Sequence, residues 1–118
     1  MILAAAYSMF KIVADPTFTC EVRLSRPESD TPVPVKITWR HKGARDLTRW
    51  LSTVSKADDD AAFLGQVIAD WQGIGDKDGA PLPYSLDALR TLLATFPSAG
   101  REMVQAYTGR LTDARAKN

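Results

Sequence analysis

The sequence is poor in the residues that carry most small-site chemistry: it has one cysteine, Cys20, and one histidine, His41. A single cysteine cannot close an internal disulfide, so nothing calls for an oxidising compartment. One cysteine and one histidine also leave too few soft ligands for a zinc site. Charge of one sign is lacking too: 15 Lys and Arg against 14 Asp and Glu leave a formal +1. A protein built to hold nucleic acid usually shows a stronger basic excess. Neither GxGxxG nor GxxxxGK[ST] occurs, and Gly73, Gly75 and Gly79 follow a predicted helix rather than a strand, so no phosphate cradle is expected. Long hydrophobic runs are missing as well. The most apolar stretch, Met1 to Phe10, is too short to span a bilayer. Its first charge, Lys11, comes after the apolar residues, whereas a secretory signal carries positive charge before them.

What is present describes an ordinary globular chain. Its 118 residues are 45% hydrophobic and 25% charged, enough for one domain with its own core. The charges are unevenly placed. Residues 1–56 carry a net +4, residues 57–96 a net −5 and residues 97–118 a net +2. A near-neutral protein of this kind can present complementary patches to a partner or to another copy of itself, and the unequal halves allow homo-oligomerisation head to tail.

Hydrophobic periodicity predicts an α+β fold, strands first and helices after. Residues 1–14 read as a leader or a short edge strand, with Met9 to Ala14 available as a third strand. Residues 15–42 read as an antiparallel β-hairpin. In it Phe18, Cys20, Val22 and Leu24 alternate with polar residues, and Val33, Val35, Ile37, Trp39 and His41 share one face. Keeping apolar opposite apolar pairs Val22 with Ile37, Cys20 with Trp39 and Phe18 with His41, across a loop from Arg26 to Thr31 with Pro32. Pro34 cannot donate to a ladder and belongs at an edge or a strand start. Residues 43–118 read as about four helices. The first has the stripe Leu47, Trp50, Leu51 and Val54. The second is opened by Asp58, Asp59 and Asp60 and has the stripe Phe63, Leu64, Val67, Ile68 and Trp71. The third is capped by Ser85 with Leu86, Leu89, Leu92, Leu93 and Phe96 on one face. The fourth, after Pro97, is capped by Ser98 with Met103, Val104, Tyr107, Leu111 and Ala114 on one face. Arg115 to Asn118 should fray.

Each candidate for chemistry has a plainer account. Cys20 and His41 are the one available nucleophile–base pair, and the register above puts them on one hairpin face. A mid-strand cysteine beside Trp39 is nevertheless a core thiol, and a buried thiol is inert. Asp76-Lys77-Asp78-Gly79 resembles the start of a calcium loop, but Ala80 and Pro81 fall where a ligand and a glycine are needed, so a tight acidic turn fits better. Arg40, His41, Lys42, Arg45 and Arg49 form a basic cluster near Trp39 and Trp50. Both tryptophans occupy predicted core positions and are not free to stack on bases. Leu82 and Tyr84 lie in the Gly/Pro loop outside any stripe, where they either meet a partner or fold back as a lid on the core. The residues themselves thus give no catalytic centre, cofactor site or metal site. Leu82, Tyr84, Arg40, Lys42 and Arg45 are the candidates for partner contact.

The order of motifs adds a resemblance. Pro16-Thr17-Phe18 is followed by Trp39-Arg40-His41-Lys42, Asp70-Trp71-Gln72-Gly73, Pro83-Tyr84-Ser85, Leu92-Leu93 with Phe96-Pro97, Ala106-Tyr107 and a Lys117-Asn118 ending. From Pro16 to Asn118 the chain resembles the tail assembly chaperones of long-tailed phages and prophages; Met1 to Ser8 falls outside the pattern. The resemblance implies a non-enzymatic protein without cofactor that works in the host cytoplasm. It implies binding of the tape measure protein, the long helical chain that sets tail length, and absence from the finished virion. In many relatives a programmed frameshift makes a longer form that also engages the tail tube protein. Neither nucleic acid nor membrane is an expected partner. The alternatives are a structural tail or head component retained in the virion, and a small nucleic-acid-binding regulator using Arg40 to Arg49.

Overall fold

A computed structural model of the chain describes residues 9–54 and 60–113. Strand β1 (Thr17–Arg26) and strand β2 (Ser29–Arg40) form an antiparallel hairpin. Helices α1 (Ala44–Leu51) and α2 (Asp60–Gly65) follow, then a third strand, β3 (Ile68–Gln72), then helices α3 (Leu86–Thr95) and α4 (Ala99–Thr112). The sheet order is β1-β2-β3, antiparallel throughout. The fold is α+β with an N-terminal hairpin and four helices, as the periodicity predicts.

The alternation in the hairpin decides which sheet face is covered. Cys20, Val22 and Leu24 of β1 and Val35, Ile37 and Trp39 of β2 are buried. Thr19, Glu21, Arg23 and Lys36 face solvent on the opposite side. There the Thr19 and Thr38 hydroxyls meet across the strands at 2.8 Å. The register differs from the expected one by two residues: Val22 pairs with Val35, Cys20 with Ile37 and Phe18 with Trp39. A two-residue slip keeps every side chain on its face, which is why hydrophobic pattern alone does not choose between the two. The turn chooses. The chain reverses at Pro27-Glu28, with Arg26 opposite Ser29, so the Arg26–Thr31 loop is mostly strand. The slack is absorbed in β2, where Asp30, Thr31 and Pro32 stand against Ser25 alone. The Ser29 hydroxyl accepts the Thr31 N–H at 3.1 Å and closes this bulge. Pro34 lies where β2 has only β1 beside it, since β3 pairs with Lys36 to Trp39, so no third strand misses its donor.

The third strand is not Met9 to Ala14. That segment runs outside the sheet, with Phe10 95% and Ile12 97% exposed. It is Ile68–Gln72, taken from the expected second helix, which stops at Gly65. Ile68 and Trp71 are both buried, a spacing of three that reads as helical. A bulge explains it: Thr38 pairs with Asp70 but Trp39 pairs with Ile68, leaving Ala69 extra and shifting the strand's parity by one. The β-branched Val67-Ile68 pair favours the extended state.

The helices cover the buried sheet face. In α1 Leu47 and Trp50 are buried, while Leu51 and Val54, expected on the same stripe, are exposed because the helix ends at Leu51. In α3 Leu89 is buried, Leu92, Leu93 and Phe96 are half-buried, and Leu86 is exposed at the first turn. The Ser85 hydroxyl accepts the Ala88 N–H at 3.0 Å, the expected cap. Ser98 stands at the N-cap of α4 with helical backbone angles and makes no cap bond; its hydroxyl lies 3.4 Å from Glu102 instead. In α4 Met103 and Tyr107 are fully buried and Val104 and Leu111 half-buried. Asp58, Asp59, Ala114 and the end from Arg115 to Asn118, as well as Met1 to Ser8, lie outside the described residues.

Tyr107 is the hub of the core. Its ring lies 4.8 Å from Trp39, meets Trp50 edge-on at 5.3 Å and stacks parallel to Phe18 at 6.2 Å. Trp50 in turn stacks on Phe63 at 4.1 Å and donates its indole N–H to the Phe63 carbonyl at 3.0 Å. Offset and edge-on pairs of this kind add about 0.5–1.5 kcal/mol each beyond area burial. Glu102 ties α4 to β1 by accepting the Ser25 N–H at 3.0 Å and the Ser25 hydroxyl.

Candidate interaction surface

Cys20 and His41 do not meet. Cys20 is buried opposite Ile37, whereas His41 lies just beyond β2, exposed, with its backbone N–H on the Pro16 carbonyl at 2.9 Å. The two-residue difference in register is what separates them. Among the described residues no three of His, Cys, Asp and Glu gather in a way that could hold a metal ion. Asp76 uses its carboxylate locally: Oδ1 accepts the N–H groups of Asp78 at 2.9 Å and Ala80 at 3.0 Å. Gly79, at φ +82°, completes this tight turn in a conformation that side chains disfavour.

Binding surfaces are better represented than chemical sites. The loop between β3 and α3 folds back onto the core. Leu82 and Tyr84 are half-buried, Tyr84 meets Trp71 edge-on at 5.0 Å, and the Trp71 indole N–H donates to the Leu82 carbonyl at 2.8 Å. The lid account of these residues therefore holds, with part of each side chain left at the surface. Arg40 lies on the same side. Its Nη1 donates to the Ile68 carbonyl at 2.6 Å, so this cation also fastens β2 to β3. Burial pushes the Tyr84 phenol above its ordinary range, and the nearby Arg40 charge offsets part of that rise. Tyr84 and Arg40, from separate segments, are thus brought together. Lys42 is half-buried and Arg45 exposed at the junction leading into α1. Arg49, further along α1, is held by Asp46 at 3.1 Å. Trp39 and Trp50 are buried, 0% and 2% exposed, and offer no face to a base.

Pattern reading missed a groove beside the loop. It runs between α3 and the segment Ile74 to Leu82, with a volume of about 810 Å³. Ile74, Leu82, Ala88, Leu92 and Phe96 supply its apolar lining, and Asp76, Lys77 and Asp87 also line it. The Arg26 guanidinium, 5.3 Å from the Phe96 ring centre, closes one end. No sequence signal marks the groove, because the α3 stripe is an ordinary one-sided one and the groove depends on how the preceding loop folds.

A family model described as phage tail assembly chaperone matches residues 5–118. The chain belongs to the phage tail assembly chaperone family. The match covers nearly the whole chain and extends the resemblance into part of the segment before Pro16. No curated protein and no solved structure matches the chain. Membership in the tail assembly chaperone family supports a chaperone role in tail assembly, exercised in the host cell, and implies a non-enzymatic protein that binds tail proteins. Among the described residues no helix is long and apolar enough to cross a membrane.

Proposed function

We propose that this tail assembly chaperone binds the tape measure protein in the host cytoplasm, keeps it soluble until the tail tube forms around it, and is released before the virion is complete. The family match carries the reading. Partly exposed Leu82 and Tyr84, and the surface cations Arg40, Lys42 and Arg45, support the reading as contact candidates. A long helical client exposes apolar stripes that aggregate until covered. Contacts that are weak singly gain avidity when many copies repeat along one client. A longer, frameshifted form engaging the tail tube protein belongs to the same proposal.

Co-expression with the tape measure protein tests it. The expected result is a higher soluble yield of the client and a complex that co-purifies. Lys42→Glu with Arg45→Glu, at positions outside the core, should weaken co-purification without lowering the melting temperature. An equally insoluble client, with this protein running alone, would overturn the proposal. Recovery of the protein from purified particles would favour a structural virion component instead.

A further inference from the structure

Strand β1 ends the sheet: β2 lies along one side of it and no strand along the other. Ladder parity says which backbone groups face the open side. In an antiparallel pair, residues whose N–H and C=O point at the partner alternate with residues whose groups point away. The His41 N–H donates to the Pro16 carbonyl at 2.9 Å, so Pro16 points at β2, and with it Phe18, Cys20, Val22 and Leu24. Thr17, Thr19, Glu21, Arg23 and Ser25 therefore point outward. Two observations agree. Pro34, which has no N–H to give, stands opposite Arg23, where β1 and β2 point away from each other. The Ser25 N–H leaves the ladder and donates to Glu102 Oε1 at 3.0 Å, which closes the edge at that end. The N–H groups of Thr19, Glu21 and Arg23 meet no acceptor among the described residues.

An unpaired strand edge is a template for another strand, and proteins commonly blunt it with proline, a bulge or charges of one sign. The free stretch of β2 has Pro34 and a bulge. The middle of β1 has neither. Its charges are one of each sign: Glu21 and Arg23, 54% and 71% exposed and 3.6 Å apart on the solvent face. An exposed bridge of this kind contributes little to the single chain.

Opposite charges two residues apart are self-complementary between antiparallel strands. With Val22 of one copy opposite Val22 of a second, Glu21 of each faces Arg23 of the other. A slip of two residues puts Glu21 opposite Glu21 or Arg23 opposite Arg23, and like charges directly opposite are destabilising. A slip of four faces both charges with neutral residues, and an odd slip sets the buried face of one strand against the solvent face of the other. In the Val22 register Glu21 and Arg23 both point outward, so they exchange backbone bonds as well as facing each other in charge. Lys36, opposite Glu21 on β2, continues the alternation, and Arg26 is held by Glu28. On the other face Cys20 meets Leu24, apolar against apolar. We infer that two copies join edge to edge through β1, an isologous dimer with one sheet running through both. The Leu82–Tyr84 loop lies over β3, at the opposite side of the sheet, so the contact stands or falls separately from tape measure binding.

Sedimentation of the full chain from micromolar to near-millimolar concentration tests the inference. A single strand pair is a small interface, so the dimer should be reversible. The wild-type mass should climb from the 13.0 kDa of one chain toward twice that value. Glu21→Arg and Arg23→Glu each set like charges opposite one another at both symmetric positions and should weaken the dimer about tenfold. An equimolar mixture of the two should recover it, because every Arg of one chain then faces a Glu of the other. Glu21→Pro removes an outward N–H without touching the β1–β2 ladder and should leave the chain monomeric. Thermal melts by circular dichroism check that each variant is folded. A wild type that stays monomeric at every concentration would overturn the inference. So would a single charge reversal that dimerises like the wild type, a mixture no tighter than its components, or a folded Glu21→Pro chain that still dimerises.

Discussion

Replacing Tyr107 by Phe removes one oxygen from the centre of the fold and leaves the ring contacts with Trp39, Trp50 and Phe18 in place. The lost hydroxyl donates to the Arg40 carbonyl at 2.6 Å and joins α4 to the last residue of β2. Leaving that acceptor short of its partner costs about 1–3 kcal/mol near neutral pH, or roughly 4 °C of melting temperature per kcal/mol for a domain of this size. The same hydroxyl makes stability depend on pH. Burial pushes the Tyr107 phenol up to about 12. Below about pH 10 the folded and unfolded chains both keep this proton, and the full contribution is present. Between about 10 and about 12 the unfolded chain gives it up first, so rising pH favours unfolding, by roughly 2 kcal/mol as pH 12 is approached. The Phe variant has no proton to lose at this position. Tyr84, whose phenol is also raised, titrates in both proteins and cancels from the difference. Urea unfolding followed by tryptophan fluorescence, in steps from pH 7 to pH 12, should show the wild type ahead by about 1–3 kcal/mol at neutrality and the lead shrinking to nothing or reversing by pH 12. A lead that stays constant across that range would refute the assignment of the alkaline limb to Tyr107.

Five further substitutions read single features of the fold. Trp50→Phe and Trp39→Phe delete the same atoms from two buried rings, but only Trp50 bonds its indole N–H, whereas Trp39 Nε1 meets no acceptor among the described residues. Trp50→Phe should therefore cost about 2 kcal/mol more than Trp39→Phe in urea unfolding, since one change orphans a carbonyl and the other removes an orphaned donor; equal losses would contradict this. Asp76→Ala removes both backbone bonds of the acidic turn and should cost about 1–2 kcal/mol, with faster amide exchange at Asp78 and Ala80, whereas Asp78→Asn should change neither. Ser85→Ala should cost about 1 kcal/mol by loss of the α3 cap, measured by thermal melt.

Local signals were legible where a single interaction decides the outcome. Ser85 before an apolar stripe, Pro97 between two helices and strict alternation from Phe18 to Leu24 each have one physical reading, and α3, the break after it and β1 follow from them. Two of the expectations that failed, the hairpin register and the second helix running through Trp71, fail because a bulge intervenes. An extra residue in a ladder changes the apparent period, so Ile68 and Trp71 look like a helical pair while lying on one face of β3. The bulge from Asp30 to Pro32 likewise hides a short turn inside a run that reads as loop, and the register moves by two with no change of face. Period analysis counts residues along one strand; a bulge is a property of two strands together, and the partner of β3 lies some thirty residues earlier in the chain.

The surface was harder to read for a related reason. Leu82 and Tyr84 stand outside every periodic stripe, which marks them as unusual but does not say whether the loop that carries them turns outward or inward. Inward is the outcome, because the Trp71 indole needs an acceptor once buried and the Leu82 carbonyl supplies it. The bond does not act alone: the Leu82 N–H donates to the Ile74 carbonyl at 2.9 Å and the Tyr84 ring meets Trp71 edge-on, so several contacts hold the loop over β3. The groove lies beside the same loop: Leu92 and Phe96 of the α3 stripe border it, while Leu89 is buried in the core. Both candidate surfaces are thus set by how the loop folds back over Trp71, which no period along the chain records.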